Sequence, residues 1–290
     1  MSERPAPNAA EEPEVVRYTT DGPVGIVSLA RAGFSNAQNG RMTYAIDDAY
    51  RAAVEDDAIA VIVLRGDGKH FSAGHDIGSP GRDVDLDYPR VATLQYAHID
   101  KPGAERHYTR EVEQYLGMCR RWREVPKPTI AAVRGACIAG GLMLAWTCDL
   151  IVASETAFFA DPVLRMGIPG AEWFAHPFVM PPRIAKEFIM TGDRMPAARA
   201  YELGMVNRVV ADDRLDDEVL ELAKKIATMP RFGLALTKKS VNMAEDLQGL
   251  RDTIDATFHL HHLAHAHNEL TTDNHLGGQT PRSMADKLKD

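Results

Sequence analysis

Two stretches of this chain join a glycine turn to the end of an apolar run. HFSAGHDIG at 70–78 follows AVIVLRGDGK, and GACIAGGLMLAWTCD at 135–149 overlaps the end of TIAAVRG. Turns of this kind leave backbone N–H groups without partners. Two such donors side by side can hold a developing oxyanion, and losing one typically costs roughly 2.7–4 kcal/mol of barrier. Proton transfer there would need an ionisable side chain. Asp161 stands two residues before Val163 and shares its side if that segment is extended. Glu172 stands where a helix AEWFAHPFV could begin, and His176 lies four residues on, on the same helical face. Both acids also have plain structural explanations, a turn or cap for Asp161 and the helix dipole for Glu172. Asp76, beside His75, reads as binding the N–H groups of its own loop. In FHLHHLAHAH at 258–267, helical spacing puts His261 and His265 on one face, able to chelate a metal. No acid or cysteine near them in sequence completes a shell, so no metal is assigned.

The elements that must position these groups follow from periodicity. Short, continuously apolar runs at 24–30, 60–66, 129–135 and 149–154 alternate with helix-period stretches such as MTYAIDDAYRAAVEDD and REVEQYLGMCRRWREV. That alternation predicts an α/β fold whose sheet is covered on both faces. Helices are predicted at 196–203, 215–229, 231–247 and 251–268, with Gly204 and Pro230 between them. The expected organisation is a loose leader over 1–14, an α/β core over 15–195 and a helical subdomain over 196–290. Residues 77 to about 108 read as a long connection, a surface excursion or a pocket lid carrying Tyr88, Tyr96 and Tyr108.

Composition narrows the function. With 290 residues, 45% hydrophobic and 26% charged, the chain is an ordinary globule. A net charge of -8 without a basic stripe argues against nucleic acid. No run reaches the ~20 apolar residues of a membrane span, and the acidic, proline-bearing start is unlike a signal peptide, which gives a cytoplasmic expectation. Cys119, Cys137 and Cys148 form no CxxC pair and read as buried reduced thiols.

Four segments resemble the crotonase (enoyl-CoA hydratase/isomerase) superfamily. They are HFSAGHDI at 70–77, PKPTIAAVRGACIAGGLMLAWTCDLIVASETAFFADP at 126–162, GIPG at 167–170 and TGDRMPAARAYELGMVNRVV at 191–210. The resemblance implies a spiral of ββα units capped by helices, a homotrimer or a hexamer built as a dimer of trimers, and an acyl-CoA thioester as substrate. No cofactor is implied beyond the coenzyme A of the substrate, and no membrane partner. By position, the thioester carbonyl would lie between the N–H groups of His75 and Gly140. Arg31, Ser72, Ala73, Gly74, Asp76, Ile77, Gly141, Met143, Val163, Gly170 and His176 would bind the substrate around it.

The same resemblance exposes a gap. Hydratases of this kind carry two glutamates around the alkene, as acid–base addition requires. Their positions fall here on Met143 and Val163, and GIPG is one residue shorter than the usual loop. The expected function is therefore an acyl-CoA enzyme that stabilises a thioester enolate. Its reaction is left open among isomerisation, hydrolysis and C–C cleavage through Glu172 or Asp161. A non-catalytic acyl-CoA-binding subunit and a metal-assisted hydrolase built on the C-terminal histidines are the competing expectations. For His75 only the backbone N–H is required, and its imidazole is expected to point elsewhere.

Overall fold

The structure is a computed structural model that describes residues 14–79 and 83–279, so most of the expected leader and the last part of the helical segment lie outside it. In chain order, β1 (Val16–Asp21), β2 (Val24–Leu29), α1 (Gly40–Glu55) and β3 (Val61–Gly66) come first. A long connection leads to α2 (Gly103–Glu111), a π-helical turn at Val112–Gly117 and α3 (Met118–Arg123). Then come β4 (Thr129–Val133), β5 (Ala136–Ile138), α4 (Gly140–Trp146), β6 (Leu150–Ser154), β7 (Phe158–Ala160) and a 3-10 turn at Pro162–Met166. After α5 (His176–Val179), α6 (Pro182–Thr191), β8 (Met195–Pro196), α7 (Ala197–Glu202) and β9 (Arg208–Val210), the chain ends in α8 (Leu215–Ala227), α9 (Arg231–Leu247) and α10 (Leu250–Thr272).

The strands form a six-stranded sheet, β1-β2-β3-β4-β6-β9, antiparallel only between β1 and β2, and a three-stranded sheet, β5-β7-β8. Continuous apolarity is explained by what covers each face. On one side Leu215, Val219 and Ala223, a single stripe of α8, pack on Val24, Val61, Val63, Ile130 and Val152. On the other, Met42, Ile46 and Tyr50 of α1 join Leu29, Leu64 and Val133 in the main core. Asn39 caps α1, its Oδ1 accepting the Met42 N–H at 2.9 Å. Among the described residues no helix is long and apolar enough to cross a membrane.

Two expectations need correction. The long connection stops at Pro102 rather than near 108, because Gly103 opens α2. Its tyrosines are engaged locally: Tyr88 stacks on Tyr44 with ring centroids 5.0 Å apart, Tyr96 donates to Glu105, and Tyr108 packs against Phe258. Nor does a helix begin at Ala171. Pro177 has no N–H to bond back to residue 173, so the helix starts only at His176. Glu172 consequently sits in an irregular turn, without a helix dipole behind it.

Candidate active site

The first glycine loop is pinned by Ser72. Its hydroxyl donates to the Asn36 carbonyl at 2.9 Å and accepts the Gly74 N–H at 3.2 Å and the Gln38 amide at 3.0 Å. Gln38 brackets the next residue, giving its N–H to Gly74 O and taking the Asp76 N–H, each at 2.8 Å. The His75 N–H between them has no acceptor among the described residues. The second loop is stitched to the first, with Ile138 N–H donating to Ser72 O at 3.0 Å and Ala139 N–H to Ala160 O at 3.0 Å. Ala139 turns at φ 47° and ψ −109°, a sparse region for a non-glycine residue that costs about 1–3 kcal/mol. It delivers Gly140 as the first residue of α4, where N–H groups have no intrahelical partner.

The loops touch. A side chain on Gly74, at φ 92°, would lie 2.8 Å from Ile138 O and 3.2 Å from Gly140 N, so glycine is what lets them meet. Gly141 backs on Ser72, whose carbonyl would be 2.6 Å from any Cβ there. Both loops open on a cavity of about 560 Å³ lined by Ala73, His75, Asp76, Ile77, Ala139, Val163, Glu172, Glu111, Tyr115, His261 and His265.

The His75 imidazole is in the site, contrary to expectation. It stacks on Tyr115 with centroids 3.7 Å apart, and its Nε2 lies 3.0 Å from Glu172 Oε2. Its Nδ1 is buried with no partner. Burial pushes the Glu172 carboxyl up, but His75 and His261 outweigh it and hold it at about 2. The carboxylate is thus an acceptor only, so Nε2 is the His75 nitrogen that donates to it, and Nδ1 faces no protein partner among the described residues. His261 Nε2 approaches the other Glu172 oxygen at 3.6 Å.

The remaining sequence candidates separate. Asp161 is fully buried and caps the 3-10 turn. Its Oδ2 takes the Ala171 N–H and His176 Nε2, each at 2.9 Å. His176 packs against Trp146, Phe174 and Phe188, away from Glu172, so the two do not share a face. Neither residue lines the cavity. Met143 is buried in the main core and does not reach the cavity, whereas Val163 does. Gly170 offers its carbonyl to His261 Nδ1 at 2.8 Å. Asp76 binds the Ser79 N–H at 3.0 Å and pairs with Arg31 at 3.0 Å. These contacts outweigh burial and lower its pKa, and Arg31, which does not itself line the cavity, bears on it through Asp76, Ala37 and Phe34.

Glu111 and Tyr115 were not foreseen. They lie in REVEQYLGM, whose helical period marks them simply as one face of a helix. Only the fold brings α2 and the π-helical turn against α10, and no spacing in the sequence carries that signal.

The sequence pattern of the enoyl-CoA hydratase/isomerase family matches residues 92–276. The chain belongs to that family. A Mycobacterium tuberculosis protein assigned as an enoyl-CoA hydratase is 40% identical over 265 residues, spanning 88% of this chain and 81% of its own length. A crystal structure of a Mycobacterium smegmatis protein, also assigned as an enoyl-CoA hydratase, superposes with a TM-score of 0.81 at 41% identity over 90% of this chain and 98% of that one. An enoyl-CoA hydratase/isomerase of Xanthobacter autotrophicus Py2 gives 0.76 at 31% identity over 95% of each chain. The ββα spiral with its C-terminal helices is therefore the crotonase fold, and the chain is a crotonase-superfamily enzyme acting on an acyl-CoA thioester.

Proposed function

We propose that the enzyme forms a thioester enolate from its acyl-CoA substrate and relocates a proton, an isomerase-type reaction, using a His75–Glu172 pair in place of two glutamates. The thioester oxygen would sit between the N–H groups of His75 and Gly140, both without other acceptors among the described residues. Donors fixed before reaction favour the enolate over the ground state, where less charge resides on that oxygen. Proton removal then falls to the His75 ring, which lines the cavity. Glu172, fixing its Nε2 at 3.0 Å, sets the tautomer and stabilises the imidazolium that forms. The carrying observation is this contact, on the wall of the cavity that the two glycine loops open into.

Hydration by the usual route fits poorly. It needs a carboxylic acid ready to give up a proton, and Glu172, held at about 2, carries one only rarely at neutral pH. Val163 and Met143 supply none.

The test is solvent deuterium exchange at the α-carbon of a short β,γ-unsaturated acyl-CoA, whose α-CH2 can form the enolate, followed by mass spectrometry, in wild type, His75→Gln and Glu172→Gln. Both variants should slow exchange by about 10²–10⁴-fold, the usual scale of a general base. Wild-type exchange in both would remove the pair from the mechanism.

We also propose that the enzyme self-associates through α9 and α10, which expose Phe232, Leu236, Leu247, Leu263 and Leu270. Light scattering should report a trimer or a hexamer, and a monomer at micromolar concentration would refute this.

A further inference from the structure

One wall of the cavity holds an arrangement that meets the proton chemistry only at His261, whose Nε2 lies 3.6 Å from Glu172 Oε1. His261 and His265, one turn apart on α10, bring their Nε2 atoms to 3.0 Å. On the other side of each ring, Nδ1 faces a backbone carbonyl, Gly170 O at 2.8 Å for His261 and His275 O at 2.7 Å for His265. A carbonyl oxygen only accepts, so both Nδ1 atoms carry hydrogen, and in neutral rings both Nε2 atoms are lone pairs. Two lone pairs face each other across a hydrogen-bond distance. Glu111 Oε2 adds a third acceptor, 3.7 Å from His261 Nε2 and 4.0 Å from His265 Nε2, with no hydrogen-bond donor of its own. His262 Nε2 lies 3.2 Å from that oxygen but off the hydrogen-bond axis.

We infer that Glu111, His261 and His265 form a binding site for one divalent transition-metal ion of the zinc type, with an open coordination position facing the acyl-CoA cavity.

Three observations converge on this site. The first is its size: the triangle of ligand atoms has a point about 2.1 Å from all three, and ~2.0–2.2 Å is the length of zinc–imidazole and zinc–carboxylate bonds. The second is the outer shell. Metal-binding imidazoles characteristically donate their other N–H to a carbonyl or carboxylate, which fixes ring orientation, and both rings do so here. The third is the unmet acceptors. A proton shared between the two Nε2 atoms would satisfy the histidines and leave Glu111 Oε2 without a donor, while a cation among them satisfies all three. Two imidazoles and one carboxylate suit zinc or ferrous iron rather than magnesium or calcium, which prefer all-oxygen shells.

Three protein ligands with a free position is the pattern of reactive rather than structural metal sites. All three residues line the cavity, so the free position can take a water or an oxygen of the bound acyl group. Helical spacing alone pairs two of these three ligands, His261 and His265. The missing acid comes from α2, 150 positions before His261.

The inference shares His261 with the enolate reading but does not depend on it, and its test reads metal rather than turnover. Full-length protein, purified without an affinity tag that binds metal, is analysed by mass spectrometry for metal content. It is then stripped with a chelator and titrated with zinc chloride by calorimetry. The expected result is one saturable site per chain, weakened at least ~100-fold in both Glu111→Gln and His265→Ala, because each removes a ligand. The double variant His259→Ala/His267→Ala, which removes the exposed histidines of the same helix, should bind as wild type. Cobalt substitution should add the visible absorption of a four- or five-coordinate ion. No saturable zinc binding by wild type would overturn the inference, whatever the variants do. So would binding that survives Glu111→Gln and His265→Ala but disappears with His259 and His267.

Discussion

Replacing Gly140 by alanine keeps the backbone N–H and changes only what that residue touches. A Cβ there would fall 2.7 Å from His75 Cε1, 2.8 Å from Nδ1 and 3.0 Å from Nε2. Ordinary carbon contacts begin near ~3.5 Å, so the ring must retreat by roughly 0.5–1 Å. It has little room, because the Tyr115 ring is stacked against it at 3.7 Å and the Glu172 contact at 3.0 Å tethers Nε2. Overpacking of this size costs about 1–3 kcal/mol. A displacement of ~1 Å in a group that must meet the substrate costs on the order of 10²-fold in rate. Gly140→Ala should therefore bind acyl-CoA with modest change, exchange the α-proton about 100-fold more slowly, and melt a few degrees lower.

The explanation makes a second demand. In a His75→Ala background the obstacle is gone, so the added Gly140→Ala should cost little stability, giving a coupling energy of about 1–3 kcal/mol in a double-mutant cycle read by urea unfolding. Additive costs would show that the ring is not what the new methyl meets. Full exchange activity in the single variant would sink the placement of His75 as proton carrier.

Met143→Glu restores a glutamate by sequence position but buries it in the main core, so it should destabilise by about 3–5 kcal/mol without gaining hydratase activity. Val163→Glu faces the cavity and should fold; a gain of about tenfold in enoyl-CoA hydration by this variant, read by loss of the enoyl absorbance, checks that one acid at the right wall is what hydration lacks. His98 is buried with neither ring nitrogen paired among the described residues, and burial, aided by Arg110, lowers its pKa to about 4. Between the unfolded value of about 6.5 and that folded value, only the unfolded chain takes the proton, so His98 costs no stability above that window and up to ~1.4 kcal/mol per pH unit as pH falls through it. Urea titrations at pH 7, 6 and 5 should show a shallower loss in His98→Leu than in wild type; parallel losses would refute the assignment.

The readable part of this protein was the part that repeats a period or reuses backbone. The runs at 60–66 and 149–154 became β3 and β6 because continuous apolarity has one use between two covering layers. The glycine loops were legible because only glycine tolerates the approach found at Gly74. Side-chain chemistry was less so. The helix dipole offered as the plain structural explanation of Glu172 is absent, because no helix begins there, and the backbone role expected of His75 leaves out its ring, which lines the cavity. Glu111 was missed because its partners come from α10, and pairing at that separation leaves no mark in local pattern.

With no helix behind it, Glu172 must be held by its neighbours, and two hydrogen bonds do this by fixing the two residues before it. His261 Nδ1 donates to the Gly170 carbonyl, and the Ala171 N–H donates to Asp161, which His176 in turn steadies. Asp161 and His176 thus bear on the reaction by positioning Glu172. Asp161→Ala removes the oxygen that takes both bonds, leaving the Ala171 N–H and His176 Nε2 unpaired in a buried place, at about 1–3 kcal/mol each. If the tether sets the Glu172–His75 distance, kcat for α-proton exchange should fall while KM for the acyl-CoA stays within about twofold, since neither Asp161 nor His176 reaches the cavity where substrate binds. A rise in KM with kcat intact would mean that Asp161 supports the walls of the cavity and not the proton carrier.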